Sequence, residues 1–385
     1  MRRGTPPGPG LSKREFLKAG MGGICALCLP GIGGGHSTGY AQMAQRGLVR
    51  PRPGQWFNRA ANAKVRCELC PWRCELAPGQ RARCRVRANR DGVGYTLAYG
   101  NPVLVQEDPV ERKPFFHVVP GSRALSISTA GCNLECKFCE VWDMALVDPE
   151  EVHAYDMPPK RVVEHAKTAG LRSISYAFGE PVVFYEYVLE TATLAREQGL
   201  LNLLHTAGYI QPEPLKELSG NIDAANVDLK GFDPEFYRNV CGGTREPVLK
   251  SLKLLSEAGV HLEITNILIP TLNDDMEQIR QMCRWIKDEL GPDVPIHFAR
   301  FYPLYKLANL PPTPVSTLDN ARDIALEVGL EFVYVARVTG HKGENTFCPG
   351  CGEAVITRFG FVIDQMHLTG GKCEHCGAAI TGRWQ

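Results

Sequence analysis

A predicted strand runs directly into a cysteine-rich loop in Ile127-Ser128-Thr129-Ala130-Gly131-Cys132-Asn133-Leu134-Glu135-Cys136-Lys137-Phe138-Cys139. Its three cysteines have the spacing C-x3-C-x2-C. Three thiolates in one short loop can hold three corners of a [4Fe–4S] cluster, which has four cysteine ligands when it is fully protein-bound. One iron then stays open, as catalytic metal sites keep an open position. A structural zinc ion with a remote fourth ligand such as His117 is the alternative.

Strand and helix patterns alternate after the start of this stretch. Strands are predicted at residues 124–129, 173–178, 202–207, 224–230, 261–269, 296–301 and 332–337. Helices are predicted between them at residues 159–169, 182–198, 248–258, 276–290 and 318–328. Such alternation predicts a parallel sheet in an α/β fold, as an open or complete barrel. The cysteine loop follows the first strand, at the end of the barrel where active sites are found.

The chain of 385 residues is longer than a barrel of about 250 residues requires. We expect a leader over residues 1–45, a cysteine-rich extension over 46–120, the barrel over 121–338 and a small cysteine-rich module over 339–385. A net charge of +1 argues against a global field for nucleic acid or an anionic membrane. The hydrophobic fraction of 44% excludes general disorder, and no apolar run is long enough to predict a membrane-spanning helix.

The leader resembles a twin-arginine export signal. The text Ser12-Lys13-Arg14-Glu15-Phe16-Leu17-Lys18 matches that signal except for a lysine at the place of the first arginine. A start of translation further downstream is the alternative. Cys25 and Cys28 lie in this segment and are interpreted as incidental. Export to the periplasm is therefore an alternative to the cytoplasmic location that iron–sulfur chemistry favours.

Two further groups of four cysteines flank the barrel. Cys348-x2-Cys351 and Cys373-x2-Cys376 predict a zinc ribbon, and a single iron ion on the same thiols is the alternative. The N-terminal group follows the pattern C-x2-C-x3-C-x9-C and consists of Cys67, Cys70, Cys74 and Cys84. A structural zinc ion is the favoured interpretation of this group, and an auxiliary iron–sulfur cluster is the alternative.

Several arginines accompany the N-terminal group and suggest a strand with a charged edge. They are Arg81, Arg83, Arg85, Arg87 and Arg90. The pattern predicts a solvated edge, and a docking face for an anionic partner is the alternative.

Together these motifs resemble the radical S-adenosylmethionine (SAM) superfamily, in the branch of the pyruvate-formate-lyase activating enzymes. Within that branch the flanking text resembles the radical SAM proteins of the AmmeMemoRadiSam system. The matching text includes Cys67-Glu68-Leu69-Cys70-Pro71, Lys113-Pro114-Phe115-Phe116-His117, Gly131-Cys132-Asn133 and His297-Phe298-Ala299-Arg300-Phe301. The resemblance implies a partial (β/α)6 barrel whose cluster, on Cys132, Cys136 and Cys139, reductively cleaves SAM to methionine and a 5′-deoxyadenosyl radical.

The resemblance also implies residues that bind SAM. Gly179-Glu180 matches the end of a Gly-Gly-Glu motif whose glutamate meets the SAM amino group, and Phe178 takes the place of the first glycine. Asp228-x-Lys230 resembles an Asp-x-Lys motif whose lysine meets the SAM carboxylate. Asn266 begins an Asn-x-x-Ile-Pro stretch found near ribose and adenine. A helix cap at Glu180 and a structural ion pair between Asp228 and Lys230 are the alternatives.

His297 and Arg300 in the sixth predicted strand are weaker site candidates, with core or ion-pair roles as the alternative.

The predicted function is hydrogen abstraction within the AmmeMemoRadiSam system, with AMMECR1-like and Memo-like proteins as partners. Activation of a glycyl-radical enzyme is the alternative. Both activities require a low-potential electron donor of the ferredoxin or flavodoxin type. A nucleic-acid-binding zinc-ribbon protein and a simple electron carrier are the non-enzymatic alternatives. The net charge argues against the first, and the second leaves the barrel and the open iron unexplained.

Overall fold

The computed structural model describes residues 44–385. The predicted leader, including Cys25 and Cys28, falls outside the described residues apart from its last two positions. Within the described part of the chain, no helix has both the length and the apolar character needed to cross a membrane.

The N-terminal extension consists of short antiparallel strands joined by turns. Its strands are β1 (Ala44–Arg46), β2 (Arg52–Pro53), β3 (Phe57–Arg59), β4 (Val65–Cys67), β5 (Glu75–Leu76), β6 (Arg87–Arg90) and β7 (Val93–Thr96). Strands β3, β4 and β5 form one sheet, and β2, β7 and β6 form another. The turns between β4 and β6 carry three of the four N-terminal cysteines, and Cys67 ends β4.

The central sheet contains one antiparallel edge strand and seven parallel strands. They are β8 (Leu104–Pro109), β9 (Arg123–Ser128), β11 (Ser173–Tyr176), β12 (Leu201–Thr206), β13 (Ala224–Asp228), β14 (His261–Leu268), β15 (Ile296–Arg300) and β16 (Val333–Ala336). Their order is β8-β9-β11-β12-β13-β14-β15-β16, and β8 is the antiparallel strand. Between β9 and β11 in the chain, β10 (His153–Tyr155) lies outside the central sheet and pairs with β1.

Helices connect the parallel strands, as the alternation predicts. They are α1 (Trp142–Ala145), α2 (Pro159–Thr168), α3 (Tyr185–Glu197), α4 (Pro212–Ser219), α5 (Pro234–Phe236), α6 (Glu246–Glu257), α7 (Met276–Leu290) and α8 (Val315–Val328). In α7 the buried face comprises Ile279, Met282, Cys283 and Ile286, at the i, i+3, i+4, i+7 spacing of an amphipathic helix. Asp275 caps α7 by accepting a hydrogen bond from the N–H of Gln278 at 2.9 Å.

The predicted fold class is confirmed: this is an α/β protein with an open, barrel-like parallel sheet. All seven predicted strand segments form strands. The seventh, β16, extends the sheet by one parallel strand beyond the (β/α)6 arrangement that the resemblance implies. It pairs with β15, so that Val335 lies opposite Phe298. Both side chains are fully buried and belong to the main hydrophobic core, so this extra strand is an integral part of the barrel.

The C-terminal module consists of two small antiparallel sheets. Its strands are β17 (Thr346–Phe347), β18 (Ala354–Phe359), β19 (Val362–Met366), β20 (Leu368–Thr369) and β21 (Lys372–Cys373). The module shares a hydrophobic cluster with its neighbours, since Val355 and Ile356 pack with Phe116 and with Tyr334 of β16. It is therefore packed onto the barrel rather than tethered to it.

The arginines of the N-terminal extension do not alternate along one strand, so that interpretation is wrong. Of the segment that carries these arginines, only residues 87–90 form a strand (β6), and residues 83–86 form turns and bends. Arg87 is buried and pairs with Glu186 at 2.6 Å. Arg81 pairs with Glu150 at 2.6 Å, so its charge is matched within the chain. These contacts engage Arg81 and Arg87, two of the five arginines in the alternative of a docking face for an anionic partner.

Candidate active site

The three-cysteine loop leaves the carboxyl end of β9 and is held by a turn from the other side of the barrel. The backbone N–H groups of Glu135 and Lys137 donate to the carbonyls of Cys241 and Val240, both at 2.9 Å. Those carbonyls belong to a π-helical turn, Tyr237–Cys241. Such turns are rare and frequent at functional sites. Hydrogen bonds to this turn thus fix the loop in place.

A glycine lets the loop approach the N-terminal extension closely. Gly131 has φ +100°, and a Cβ atom at this position would lie 2.7 Å from the carbonyl oxygen of Cys84. Next to it, the Asn133 amide donates to the carbonyl of Tyr209 at 2.7 Å. The indole N–H of Trp72 donates to the carbonyl of Asn133 at 2.7 Å. The cysteine loop is therefore packed against the extension on one face.

The other face of the loop opens into a cavity of about 640 Å³ at the carboxyl ends of the parallel strands. Most predicted site residues line it, namely Cys132, Cys136, Cys139, Gly179, Glu180, Asp228 and Lys230. The sequence places these residues far apart, and the parallel sheet brings them to one edge. A buried cavity with several charged groups is the usual form of a small-molecule site.

Glu180 lies buried at this edge, and its carboxylate accepts three hydrogen bonds of about four possible. It accepts hydrogen bonds from the Thr206 hydroxyl at 2.6 Å and from the Ala207 N–H at 2.8 Å. It also accepts from the Val182 N–H at 3.1 Å, which caps the 3₁₀ turn Pro181–Phe184. Burial raises the pKa of Glu180, and these hydrogen bonds oppose that shift. The predicted alternative, a helix cap, is therefore real, and it coexists with a position in the cavity wall.

The residue before this motif carries a backbone conformation suited to glycine. Phe178 has φ +69°, in the left-handed region that side chains other than glycine rarely adopt. The backbone thus keeps the shape of the Gly-Gly-Glu motif although the first glycine is replaced. The Phe178 ring lies 5.3 Å from the guanidinium of Arg112, another residue of the cavity wall.

Asp228 and Lys230 form an ion pair at the end of β13. The Lys230 ammonium lies 2.9 Å from the Asp228 carboxylate, which also contacts the His205 ring at 3.1 Å. Burial alone would raise the pKa of Asp228, but Lys230 and His205 hold it well below its ordinary value. Lys230 therefore faces the cavity as a buried cation whose charge is partly matched.

The structure does not bring Asn266 into the cavity. Its neighbours Thr265 and Ile267 line the wall, whereas the Asn266 amide is buried and donates to the carbonyl of Leu229 at 2.6 Å. Successive side chains in a strand point to opposite faces, which accounts for the difference. The predicted contact between this side chain and the adenosine part of SAM has no support in this geometry.

His297 and Arg300 have structural partners. His297 is fully buried and contacts Glu263 at 2.7 Å. Arg300 donates to the carbonyl of Thr313 at 2.9 Å. Neither residue lines the cavity. The core and ion-pair role describes His297, whereas Arg300 is held by a backbone carbonyl.

The thiols of the loop differ in their electrostatic surroundings. Burial raises the pKa of Cys132 well above its ordinary value and that of Cys139 to about 11. The neighbouring Cys241 and the charge of Lys230 lower the pKa of Cys136. Cys241 was not recognised in the sequence, because it follows the loop by more than 100 residues and belongs to no cysteine motif. Its carbonyl lies 4.0 Å from the Cys136 sulfur.

The spacing of the loop thiols fits a cluster better than a single ion. In residues 44–385, only the C-terminal cysteines bring three or more Cys, His, Asp or Glu ligand atoms within 4.8 Å of one another. The three loop sulfurs therefore do not all lie within 4.8 Å of one another. His117, the proposed remote zinc ligand, is buried against Thr381 and Tyr334 instead. Three thiols around an open cavity fit a [4Fe–4S] cluster with one open iron.

The four C-terminal thiols have the spacing of a mononuclear site. The Cys348 and Cys376 sulfurs are 3.5 Å apart, and the Cys351 and Cys373 sulfurs are 3.8 Å apart. A tetrahedral ion with metal–sulfur bonds of about 2.3 Å sets its ligands about 3.8 Å apart. This geometry suits one zinc or one iron ion equally.

Comparison with known proteins identifies the family. The model of the radical SAM superfamily matches residues 126–285, which begin in β9 and end in α7. The chain belongs to the radical SAM superfamily. It is 40% identical over 331 residues to an uncharacterized protein of Methanocaldococcus jannaschii, covering 86% of this chain and 98% of that protein.

Activating enzymes are also among the relatives of this radical SAM protein. The pyruvate formate-lyase-activating enzyme of Clostridium pasteurianum is 28% identical over 174 residues, covering 44% of this chain and 71% of the relative. A domain of a pyruvate-formate lyase-activating enzyme from Bacteroides vulgatus is a solved structural neighbour. It has a TM-score of 0.38 at 19% identity, and covers 43% of this chain and 98% of that one.

Membership of the radical SAM superfamily establishes the class of reaction that this protein catalyses. The protein is an enzyme that uses a [4Fe–4S] cluster and SAM to generate a radical, as the sequence predicts. A reductant is required for this chemistry. When bound, the cluster supplies the electron that cleaves SAM to methionine and a 5′-deoxyadenosyl radical.

Proposed function

We propose that this enzyme abstracts a hydrogen atom from its substrate within the AmmeMemoRadiSam system, with AMMECR1-like and Memo-like proteins as partners. The catalytic part of this proposal rests on one observation: the same cavity is lined by the loop cysteines and by Glu180 and Lys230. The loop cysteines are Cys132, Cys136 and Cys139. The system is suggested by sequence text around this cavity. Lys113, from one matching stretch, lines it, and Cys132, from another, belongs to the loop.

The residues of the cavity have distinct roles in this proposal. Glu180 accepts hydrogen bonds from the SAM amino group, and Lys230 pairs with the SAM carboxylate. Opposite charges matched to the two ends of a zwitterion fix its orientation, because charge-assisted hydrogen bonds are directional and strong. The Cys132, Cys136 and Cys139 thiolates hold the cluster. Burial of these groups excludes water from the radical.

Activation of a glycyl-radical enzyme is the second candidate. One observation favours it besides the named relatives. Phe361 lines the rim of the cavity and is 47% exposed, and its neighbours Phe359 and Val362 are each 65% exposed. An apolar rim beside an active site can be covered by the surface of a protein substrate.

Product analysis tests the proposal. Reduced, anaerobic enzyme supplied with SAM is expected to release 5′-deoxyadenosine and methionine. A Cys132→Ala/Cys136→Ala/Cys139→Ala variant is expected to release neither. Addition of AMMECR1-like and Memo-like proteins is expected to raise the yield of 5′-deoxyadenosine. If instead a glycyl-radical enzyme acquires the electron paramagnetic resonance (EPR) doublet of a glycyl radical, the second candidate is correct.

A further inference from the structure

The four N-terminal cysteines converge on a second gap in the protein, behind the three-cysteine loop. All four cysteine side chains line this gap. Cys67 and Cys84 are buried, and Cys70 and Cys74 are half-buried. Of residues 44–385, no histidine, aspartate or glutamate lines the gap. Any metal centre bound here would therefore have thiolate ligands alone, the set that zinc and iron–sulfur clusters share.

The distances between these thiols distinguish a zinc site from an iron–sulfur cluster. A tetrahedral zinc ion sets thiolates about 3.8 Å apart, and the C-terminal group of the same chain meets that distance. The N-terminal group does not, since no three of its sulfurs lie within 4.8 Å of one another. In this respect it resembles the three-cysteine loop. A [4Fe–4S] cluster binds each thiolate on a different iron, so its ligands stand farther apart than those of one ion.

We propose that Cys67, Cys70, Cys74 and Cys84 bind a second [4Fe–4S] cluster. All four irons have a protein ligand, so this centre leaves no iron open to SAM. The sequence favours zinc for this group, and the spacing of the thiols supports the alternative.

The surroundings of the gap suit a buried iron–sulfur centre. Arg87 lines the gap, and its Nε N–H is buried without a hydrogen-bond partner among the described residues. The other end of its guanidinium is held by Glu186 at 2.6 Å. A buried donor without a partner costs free energy, and a cluster sulfur next to it would satisfy it. Hydrogen bonds of this kind tune the potential of iron–sulfur centres.

One residue separates the two cysteine sites. Cys132 and Leu134 line the barrel cavity, whereas Asn133 between them lines the second gap. The Trp72 indole, which also lines the gap, bonds to the Asn133 carbonyl. Because the ligand sets do not overlap, either site can be removed by substitution while the other keeps its cysteines.

Metal analysis of the full-length protein, reconstituted anaerobically with iron and sulfide, tests the proposal. The wild type is expected to bind about eight irons as two [4Fe–4S] clusters, in addition to the one metal ion of the C-terminal thiols. The Cys132→Ala/Cys136→Ala/Cys139→Ala variant is expected to keep one four-iron cluster, seen in its Mössbauer spectrum and, after reduction, by EPR. That signal is expected to be unchanged by SAM.

The complementary variant is Cys70→Ala/Cys74→Ala, which removes the two half-buried ligands. It is expected to lose about four irons and to keep a reduced EPR signal that changes on addition of SAM. Cys283→Ala, which alters a buried cysteine of α7 outside every group, is the matched control and is expected to keep the full iron content. A triple variant without a four-iron cluster, whether it binds a second zinc ion or no metal, overturns the proposal. That measurement decides the question even if the double variant does not fold.

Discussion

At the scale of single residues, the chemistry could be predicted better than the contacts. The spacing of Cys132, Cys136 and Cys139 was sufficient to predict a cluster loop, because ligand spacing along the chain is a local property. The buried pair of Arg87 and Glu186 could not be predicted, since its partners are 99 residues apart. The SAM contact of Asn266 stays a prediction, but its side chain lies outside the cavity wall and bonds to the Leu229 carbonyl, a placement that the motif alone did not specify.

Glu180→Gln separates the two roles of this residue. The amide oxygen can keep the hydrogen bonds from Thr206 and Val182, but the amide nitrogen cannot accept from the Ala207 N–H, so we expect a loss of about 1–3 kcal/mol in the free energy of unfolding. Loss of the charge is expected to weaken SAM binding by about ten- to hundred-fold, which corresponds to about 1.5–3 kcal/mol for a charge-assisted hydrogen bond. Anaerobic isothermal titration of the cluster-loaded variant measures this. Unchanged SAM affinity would show that Glu180 is a cap alone.

Gly131→Ala tests the close approach between the loop and the extension. The new Cβ would meet the backbone carbonyl of Cys84, which cannot rotate away. We expect a loss of about 2–5 kcal/mol in the free energy of unfolding and reduced iron retention. Gly170→Ala is the matched control: this residue also has a positive φ of +66°, but nothing lies within 4 Å of its Cβ position. Equal losses in the two variants, measured by urea unfolding, would contradict the proposed contact.

At the scale of elements, amphipathic helices could be predicted and short irregular ones could not. The observed bounds of α7 agree with the prediction, because its 15 residues repeat an apolar stripe over four turns. By contrast α4 has only eight residues, two of them prolines, a composition that predicts a loop. The predicted strand along the arginines covers only Arg87–Arg90, because residues 83–86 form turns and bends.

At this scale we predict that the fold of the C-terminal module depends on its bound metal. Cys351→Ser removes one exposed ligand of the tetrahedral group. Because metal binding contributes directly to the folding of small modules, we expect loss of the bound metal and faster proteolysis within residues 348–376. The barrel is expected to resist, since its core is separate from the metal. Mass spectrometry of limited digests locates the cuts. Cleavage first within the barrel strands would contradict this assignment.

At the scale of the whole molecule, the extension, the barrel and the C-terminal module meet at His117. Its Nδ1 lies 2.6 Å from the carbonyl of Thr381, and its Nε2 lies 2.5 Å from the hydroxyl of Tyr334. Burial lowers the pKa of His117 to about 3. The sequence suggested this histidine as a remote zinc ligand. Its structural role could not be predicted, because both partners lie more than 200 residues away.

This histidine makes stability depend on pH. In the unfolded chain the His117 ring binds a proton with a pKa near 6.5, whereas in the folded protein it binds one only near pH 3. Stability contributed by the neutral ring is therefore present above pH 6.5 and is lost as the pH falls, by up to about 1.4 kcal/mol per pH unit. In His117→Phe we expect a smaller drop in urea midpoint between pH 7.5 and 5.5. His153→Asn, at an exposed position, should behave as the wild type; equal pH dependence in all three proteins would refute the assignment.

The contact between His117 and Thr381 spans 264 residues of chain. It is continued by the bridge between Val118 and Arg383. Contacts of such long range form late, because the entropy of closing the loop must be overcome first. Lys113, four residues before His117, belongs to the wall of the barrel cavity. A newly made chain can therefore arrange its strands and cysteine loops early, while this part of the catalytic chamber is completed only when the far end of the sequence has folded back onto it.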